Sequence, residues 1–256
     1  MTTYFRTNEF EGARFVKASL KGATLRFADV SGVTMRAVDV DGLDIDSHDL
    51  FFGTLLVNGV DVVPLVDAEL NRLFPGRELQ KAQTPEGLRE GWVAVQAAWR
   101  ETVEGTPADM VDAHVEDEWS LAQTLRHLVL ATDAWLRKSI MGIEQPFHEI
   151  GQIFTGAEEM GYDVSVFRED APSYDEVLAV RAERQQLVTD FLADVTPELL
   201  AEERVDPWGG NWHPTVGDCI RVILEEEWAH LRYIRRDLAI LRAAETGEAS
   251  KAGEPS

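Results

Sequence analysis

The sequence predicts a mainly α chain of the α+β class: a short four-sided coil at the front, then a four-helix bundle. Two patterns predict it. Over the first fifty residues an apolar side chain returns at every fifth position, and from residue 85 onward apolar residues recur at three- and four-residue spacing along four long segments. A third observation sets the scale. With 256 residues, 45% hydrophobic and 27% charged, the chain can bury a substantial core in one large unit or two smaller ones.

The front beat runs through Phe5, Phe10, Phe15, Leu20, Leu25, Val30, Met35, Val40, Ile45 and Leu50, with Ala13, Ala18, Ala23 and Ala28 two positions ahead of several of them. Gly12, Gly22, Gly32 and Gly42 add a ten-residue echo. A helix turns by about 100° per residue, so five steps do not return to one face. A coil with four five-residue sides instead puts each central apolar residue inside, stacked on the next turn. Residues 4–50 resemble the pentapeptide-repeat family, which implies a right-handed quadrilateral β-helix. After residue 30 the small position holds Val33, Val38 and Leu43, so the last turn is expected to be distorted. Residues 1–60 carry six basic and eight acidic side chains, too nearly neutral to imitate a charged nucleic-acid rod. The coil is expected to be a structural or docking module, for a protein partner or for self-association.

Residues 51–84 form an apolar connector. Asp61 can cap a short helix with Pro64 in its first turn, Val66, Leu70 and Leu73 on one side, and an end at Pro75-Gly76.

The bundle is predicted over 85–245. Its first helix opens at Pro85, closes at Gly105 and buries Leu88, Trp92, Val95 and Trp99. The second spans 120–142, from a Ser120 N-cap to Gly142. The third starts at Ser173 with Glu176 three residues later, the spacing of a capping box. The fourth covers 215–245, with Ile220, Ile223, Tyr233 or Ile234, and Leu238 inward. Such a set describes a helix bundle. Segment 143–172, without a clear helix, is long enough to cover a site, and 196–214 is a second candidate for a pocket mouth. Residues 246–256 have the composition of a disordered tail.

Composition excludes several functions. A net charge of −22 repels a phosphate backbone, so nucleic-acid binding is not expected. No apolar run is long enough for a membrane span, and the N-terminus lacks a secretory signal, so a cytoplasmic protein is expected. A single cysteine, Cys219, rules out an internal disulfide and a cysteine-cluster metal site.

Three residues carry the chemistry. His127 lies among Leu125, Leu128 and Leu130, while Glu226 stands four residues before His230. Each alone reads more simply as a satisfied core or surface group. Together they differ, because residues four apart share a helix face and neighbouring helices lie 8–10 Å apart. Two imidazoles and a carboxylate suit Zn²⁺, Ni²⁺ or Fe²⁺ and leave a coordination position open. Glu227, three residues before His230, is the rival ligand.

The segments "LRHLVLATDAWL" and "EEEWAHLRYIRRDL" resemble the DinB-like superfamily of metal-binding four-helix bundles, and within it the branch of mycothiol-dependent maleylpyruvate isomerase. The resemblance covers roughly 86–245. It implies His127, Glu226 and His230 as metal ligands, a divalent metal (zinc first, then nickel or iron), and a low-molecular-weight thiol as co-substrate. The implied activity is a transferase or isomerase in which a metal-bound thiolate attacks a small electrophile. A hydrolase and a metal-binding scaffold without chemistry are the neighbouring readings. Cys219, near the start of the fourth helix with no nearby base, is expected to serve packing, His213 is a loop residue that could line the pocket, and His48, His114 and His148 have no partner at ligand spacing. Arg232, Arg235, Arg236 and Asp237 are expected in ion pairs, with an arginine available for a co-substrate carboxylate. Trp119, Trp135 and Trp228 are expected in the core.

Overall fold

The computed structural model describes residues 7–26, 28–47, 50–154, 156–158 and 161–245. Its contacts divide the chain into two units between Asp46 and Ser47.

In the first unit the five-residue beat is a succession of turns. Ala13, Ala23, Val33 and Leu43 each donate a backbone hydrogen bond to the carbonyl three residues earlier, at 2.9–3.1 Å. The third residue of each turn is Gly12, Gly22, Gly32 or Gly42, at φ between +70° and +74°, the left-handed region that glycine enters without strain. Among the described residues of this unit no strand forms, so the β-helix expected for 4–50 is not shown. The beat residues expected inside are about half exposed, from 45% at Phe10 to 65% at Leu25. Phe5 and His48 lie outside the described residues.

The second unit opens with a 3-10 turn at Leu50–Phe52 and a minimal hairpin, β1 (Leu56–Val57) against β2 (Val60–Asp61). Asn58 and Gly59, both at positive φ, turn it. Helix α1 (Val63–Leu73) starts where Asp61 Oδ1 accepts from the Val63 amide at 3.1 Å. Val66 and Leu70 are half-buried but Leu73 is 51% exposed, so the inward face of α1 is shorter than predicted. Gly76 follows at φ +91°, where a Cβ would sit 2.6 Å from the Ala94 Cβ. No larger residue fits this close approach between the connector and the next helix.

Four long helices follow. Helix α2 (Pro85–Glu104) is capped by Thr84, whose hydroxyl accepts from the Gly87 amide. Helix α3 (Leu121–Thr132) begins with a complete capping box between Ser120 and Gln123. The helix predicted for 120–142 is not uniform: from Asp133 to Ile140 it widens into a π-helix, and the Met141 amide reaches back five residues to Leu136. Helix α4 (Tyr174–Asp194) forms half of its expected capping box. Ser173 caps the Glu176 amide, while the Glu176 carboxylate turns away to Arg168 at 2.9 and 3.0 Å. A single turn, α5 (Pro197–Leu200), precedes α6 (Val216–Glu245).

Helix α2 packs against α4 and α6, and α3 packs against the same two, so the four close into a ring. Leu88, Val95, Trp99, Leu125, Leu128, Val188, Ile220, Ile223 and Leu231 are all under 2% exposed at its centre. Fully burying each such side chain contributes about 1.5–3 kcal/mol. The indoles also tie helices together: Trp92 donates to Thr189 Oγ1 at 3.0 Å and Trp99 to the Glu227 carbonyl at 3.2 Å. No helix of the described residues is long and apolar enough to cross a membrane. The tail expected over 246–256 lies outside the described residues.

Candidate metal centre

His127 sits on α3 between the buried Leu125 and Leu128, on the side that faces α6. A strap from the 143–172 segment runs along this helix. The Arg126 guanidinium donates to the Ile150 carbonyl at 2.8 Å, and the Gln152 amide donates to the Arg126 carbonyl at 3.3 Å. That registration leaves the Gln152 carbonyl 3.0 Å from His127 Nδ1. A carbonyl can only accept, so Nδ1 carries the proton and the lone pair of a neutral ring resides on Nε2.

Nε2 meets Glu226 Oε2 at 3.3 Å, and the same carboxylate oxygen lies 3.3 Å from His230 Nδ1. His230 Nδ1 is also 2.9 Å from the Glu226 carbonyl of its own helix, a hydrogen bond that favours Nε2 as the free ligand atom. The two imidazoles stand 4.6 Å apart between centroids. Each of the three residues offers one ligand atom, and these atoms all lie within 4.8 Å of one another, so the group could hold a metal ion. The donor chemistry fits a cation. A lone pair on His127 Nε2 facing a carboxylate oxygen at 3.3 Å is a contact between two acceptors unless a proton or a metal lies between them. The backbone carbonyl behind His127 is the usual outer partner of a metal-ligating histidine.

Burial at the centre is partial. The His127 and His230 side chains are 13% and 15% exposed, and Glu226 is 32% exposed. Trp119, expected in the core, instead walls the centre: its ring lies 4.7 Å from His127 and stacks on His230 at 6.1 Å with planes 16° apart. Tyr233 meets His230 edge-on at 5.6 Å, and the guanidinium of Arg232 lies 4.4 Å over the Tyr233 ring. Neither Trp119 nor the Gln152 carbonyl was legible in the sequence. One lies outside any helix period, and the other is a backbone atom that any residue supplies.

The rival ligand Glu227 faces the other way. It is 1% exposed and paired with Arg181 in the bundle interior. Burial raises its carboxyl above the ordinary range, against the pull of Arg181 and Gln96. Cys219 is fully buried beside the Ser139 hydroxyl at 3.3 Å, and burial pushes its thiol up, away from a reactive thiolate. His213 and His114 are exposed, and His148 Nδ1 accepts from the Ile150 amide. Arg235 ties α6 to Thr102, Ala98 and Glu101 of α2, and Arg236 binds Asp237 at 2.8 Å. Trp135 and Trp228 are buried as expected.

The family model of the DinB superfamily matches residues 92–234, from the first turns of α2 to beyond His230. The chain belongs to the DinB superfamily. Its members often bind metal, and in this DinB protein the matched region contains all three candidate ligands. Neither a curated protein nor a solved structure gives a significant match. The family match lies within the bundle and does not reach the first unit.

Proposed function

We propose that this DinB protein holds one divalent metal ion on His127, Glu226 and His230, zinc before nickel or iron. With a low-molecular-weight thiol it acts in the cytoplasm as a transferase or isomerase on a small electrophile, in the manner of the mycothiol-dependent branch of the superfamily. The observation that carries the reading is the convergence of the three side chains, one ligand atom from each of His127, Glu226 and His230 lying within 4.8 Å of the others. A divalent cation at such a centre favours thiolate over thiol, and the thiolate is the nucleophile.

The chain's own residues do the rest. The Gln152 carbonyl fixes the His127 tautomer, and His230 is held by its own helix. Trp119 covers both imidazoles with an apolar face that keeps water from one side. Three protein ligands and a third of the Glu226 side chain exposed leave room for an incoming group, which a closed four-ligand structural site does not. The front coil serves as a docking module in this reading.

Metal analysis of the purified full chain tests it, with about one equivalent of metal expected. His127→Ala and His230→Ala each lower affinity by more than the roughly 10–100-fold that an outer partner is worth. Glu227→Gln keeps the metal, because that carboxylate faces Arg181. A folded Glu227→Gln protein without metal would show the ligand set to be wrong. Thiol consumption with 1-chloro-2,4-dinitrobenzene, across a panel of cellular thiols, tests the chemistry. Absence of metal-dependent turnover with every thiol sinks the catalytic reading and leaves a metal-binding protein.

A further inference from the structure

A cavity of about 280 Å³ lies between the 143–172 strap and the turn at Pro207–Gly209, and neither the metal ligands nor Trp119 line it. Its walls are aromatic. Phe147 and Trp208 stack at 6.0 Å with planes 17° apart, Tyr162 meets Trp208 edge-on at 5.7 Å, and Phe167 lies 5.9 Å from Phe147. One cation stands among them: Lys138, from the π-helical stretch, lies 5.7 Å from the centre of the Phe147 ring. Its ammonium donates to the Pro207 carbonyl at 2.5 Å.

An ammonium has three N–H donors, and that carbonyl occupies one of them. Among the described residues no carboxylate comes within ion-pair distance of Lys138, although acidic side chains outnumber basic ones 46 to 24. Glu144 and Asp163 also line the cavity. Glu144 is exposed to solvent, and Asp163 already accepts from the Ser165 amide at 3.0 Å and the Ser165 hydroxyl at 2.6 Å. A cation with no carboxylate at ion-pair distance among the described residues, set against aromatic faces, suits a negatively charged ring-bearing molecule, although Glu144 and Asp163 line the same wall as anions. The volume is just under the roughly 300 Å³ at which ordinary ligand pockets begin, so the guest has a single ring.

We infer that this cavity binds a small aromatic carboxylate, with the carboxylate on Lys138 and the ring against Phe147 and Trp208. Its link to the metal centre is covalent: Ile153 in the cavity wall directly follows Gln152, whose carbonyl orients His127.

Calorimetric titration of the full-length protein with benzoate, benzylamine and benzyl alcohol tests the inference, because the three share a ring and differ in charge. Benzoate is expected to bind roughly tenfold more tightly than either of the others. Lys138→Met and Trp208→Ala each weaken benzoate about tenfold or more, while Lys138→Arg, which keeps the charge, stays within a few-fold. Circular dichroism and metal content confirm that each variant is folded and loaded. Benzylamine binding as tightly as benzoate, or no binding by any probe, overturns the inference. So does a folded Lys138→Met protein with unchanged benzoate affinity. Benzoate binding to wild-type protein that carries no metal upholds the cavity while the metal reading fails. A loaded protein that ignores benzoate overturns the cavity alone.

Discussion

Three consecutive glutamates on α6 meet three different fates, because successive helix residues point about 100° apart. Burial raises the Glu225 carboxyl, while Arg221, Lys81 and Arg77 pull it down. Glu226 meets the two histidines, and Glu227 turns into the core against Arg181. A second residue with a separable effect is Tyr174 at the start of α4. Its hydroxyl is buried with no hydrogen-bond partner among the described residues, and burial, aided by the Asp112 charge, pushes its pKa up to about 12. The unfolded value is about 10, so folding favours the protonated form. The resulting stability is fully present below about pH 10 and is lost as pH rises through about 12. Tyr174→Phe is therefore expected to flatten the alkaline loss of stability between those values without lowering stability at neutral pH. Guanidinium midpoints of both proteins from pH 7 to 12 check this, and equal alkaline slopes would refute it.

At the scale of elements, the strap and the π-helix are one device. Asp133, fully buried where α3 widens, accepts from the Arg184 guanidinium at 2.6 Å, from Arg137 at 3.2 Å and from the His148 amide at 2.8 Å. It thereby holds α4 and the start of the strap together, and Arg126 continues the hold to Gln152. The centre's orientation thus depends on a carboxylate that is not a ligand. Asp133→Ala leaves Arg184 buried with only the exposed Glu183 carboxylate at 3.6 Å, and breaking a buried pair costs about 3–5 kcal/mol. In the temperature range where the variant stays folded, metal affinity should fall roughly 10–100-fold as the Gln152 carbonyl loosens. Chemical denaturation and metal titration read the two effects separately, and unchanged metal affinity in folded Asp133→Ala protein would detach the strap from the centre. The length of 143–172 pointed to a covering segment. The π-helix was not read from the apolar spacing, because a widening confined to eight residues inside a longer helical pattern is too short to show as a separate period.

At the scale of the molecule, the ring of α2, α4, α3 and α6 sets α3 against α6 and brings a histidine to a pair about a hundred residues away. A metal bound only in the folded state adds about 2.7 kcal/mol at a hundredfold excess over its dissociation constant. For a unit of this size that is roughly 5–10 °C in Tm. Chelation with EDTA is expected to lower the melting temperature of the wild-type protein by that order and to leave His127→Ala unmoved. Identical melting curves with and without EDTA would show that no metal joins the two helices.

What could be read from the sequence alone was periodic. The four bundle helices follow from three- and four-residue apolar spacing, and Leu88, Trp92, Val95, Trp99, Ile220, Ile223 and Leu238 are buried as that spacing requires. Two of the candidate ligands share a face of α6 because they stand four residues apart, a local fact of helix geometry. Only tertiary structure decided that His127 reaches them and that Glu227 does not. It alone turned Trp119 toward the imidazoles, set the Gln152 carbonyl behind His127 and left the first unit's apolar beat half uncovered. Those outcomes depend on which surfaces the packed helices and the strap bring together, and spacing along a chain carries no record of distances between segments a hundred residues apart.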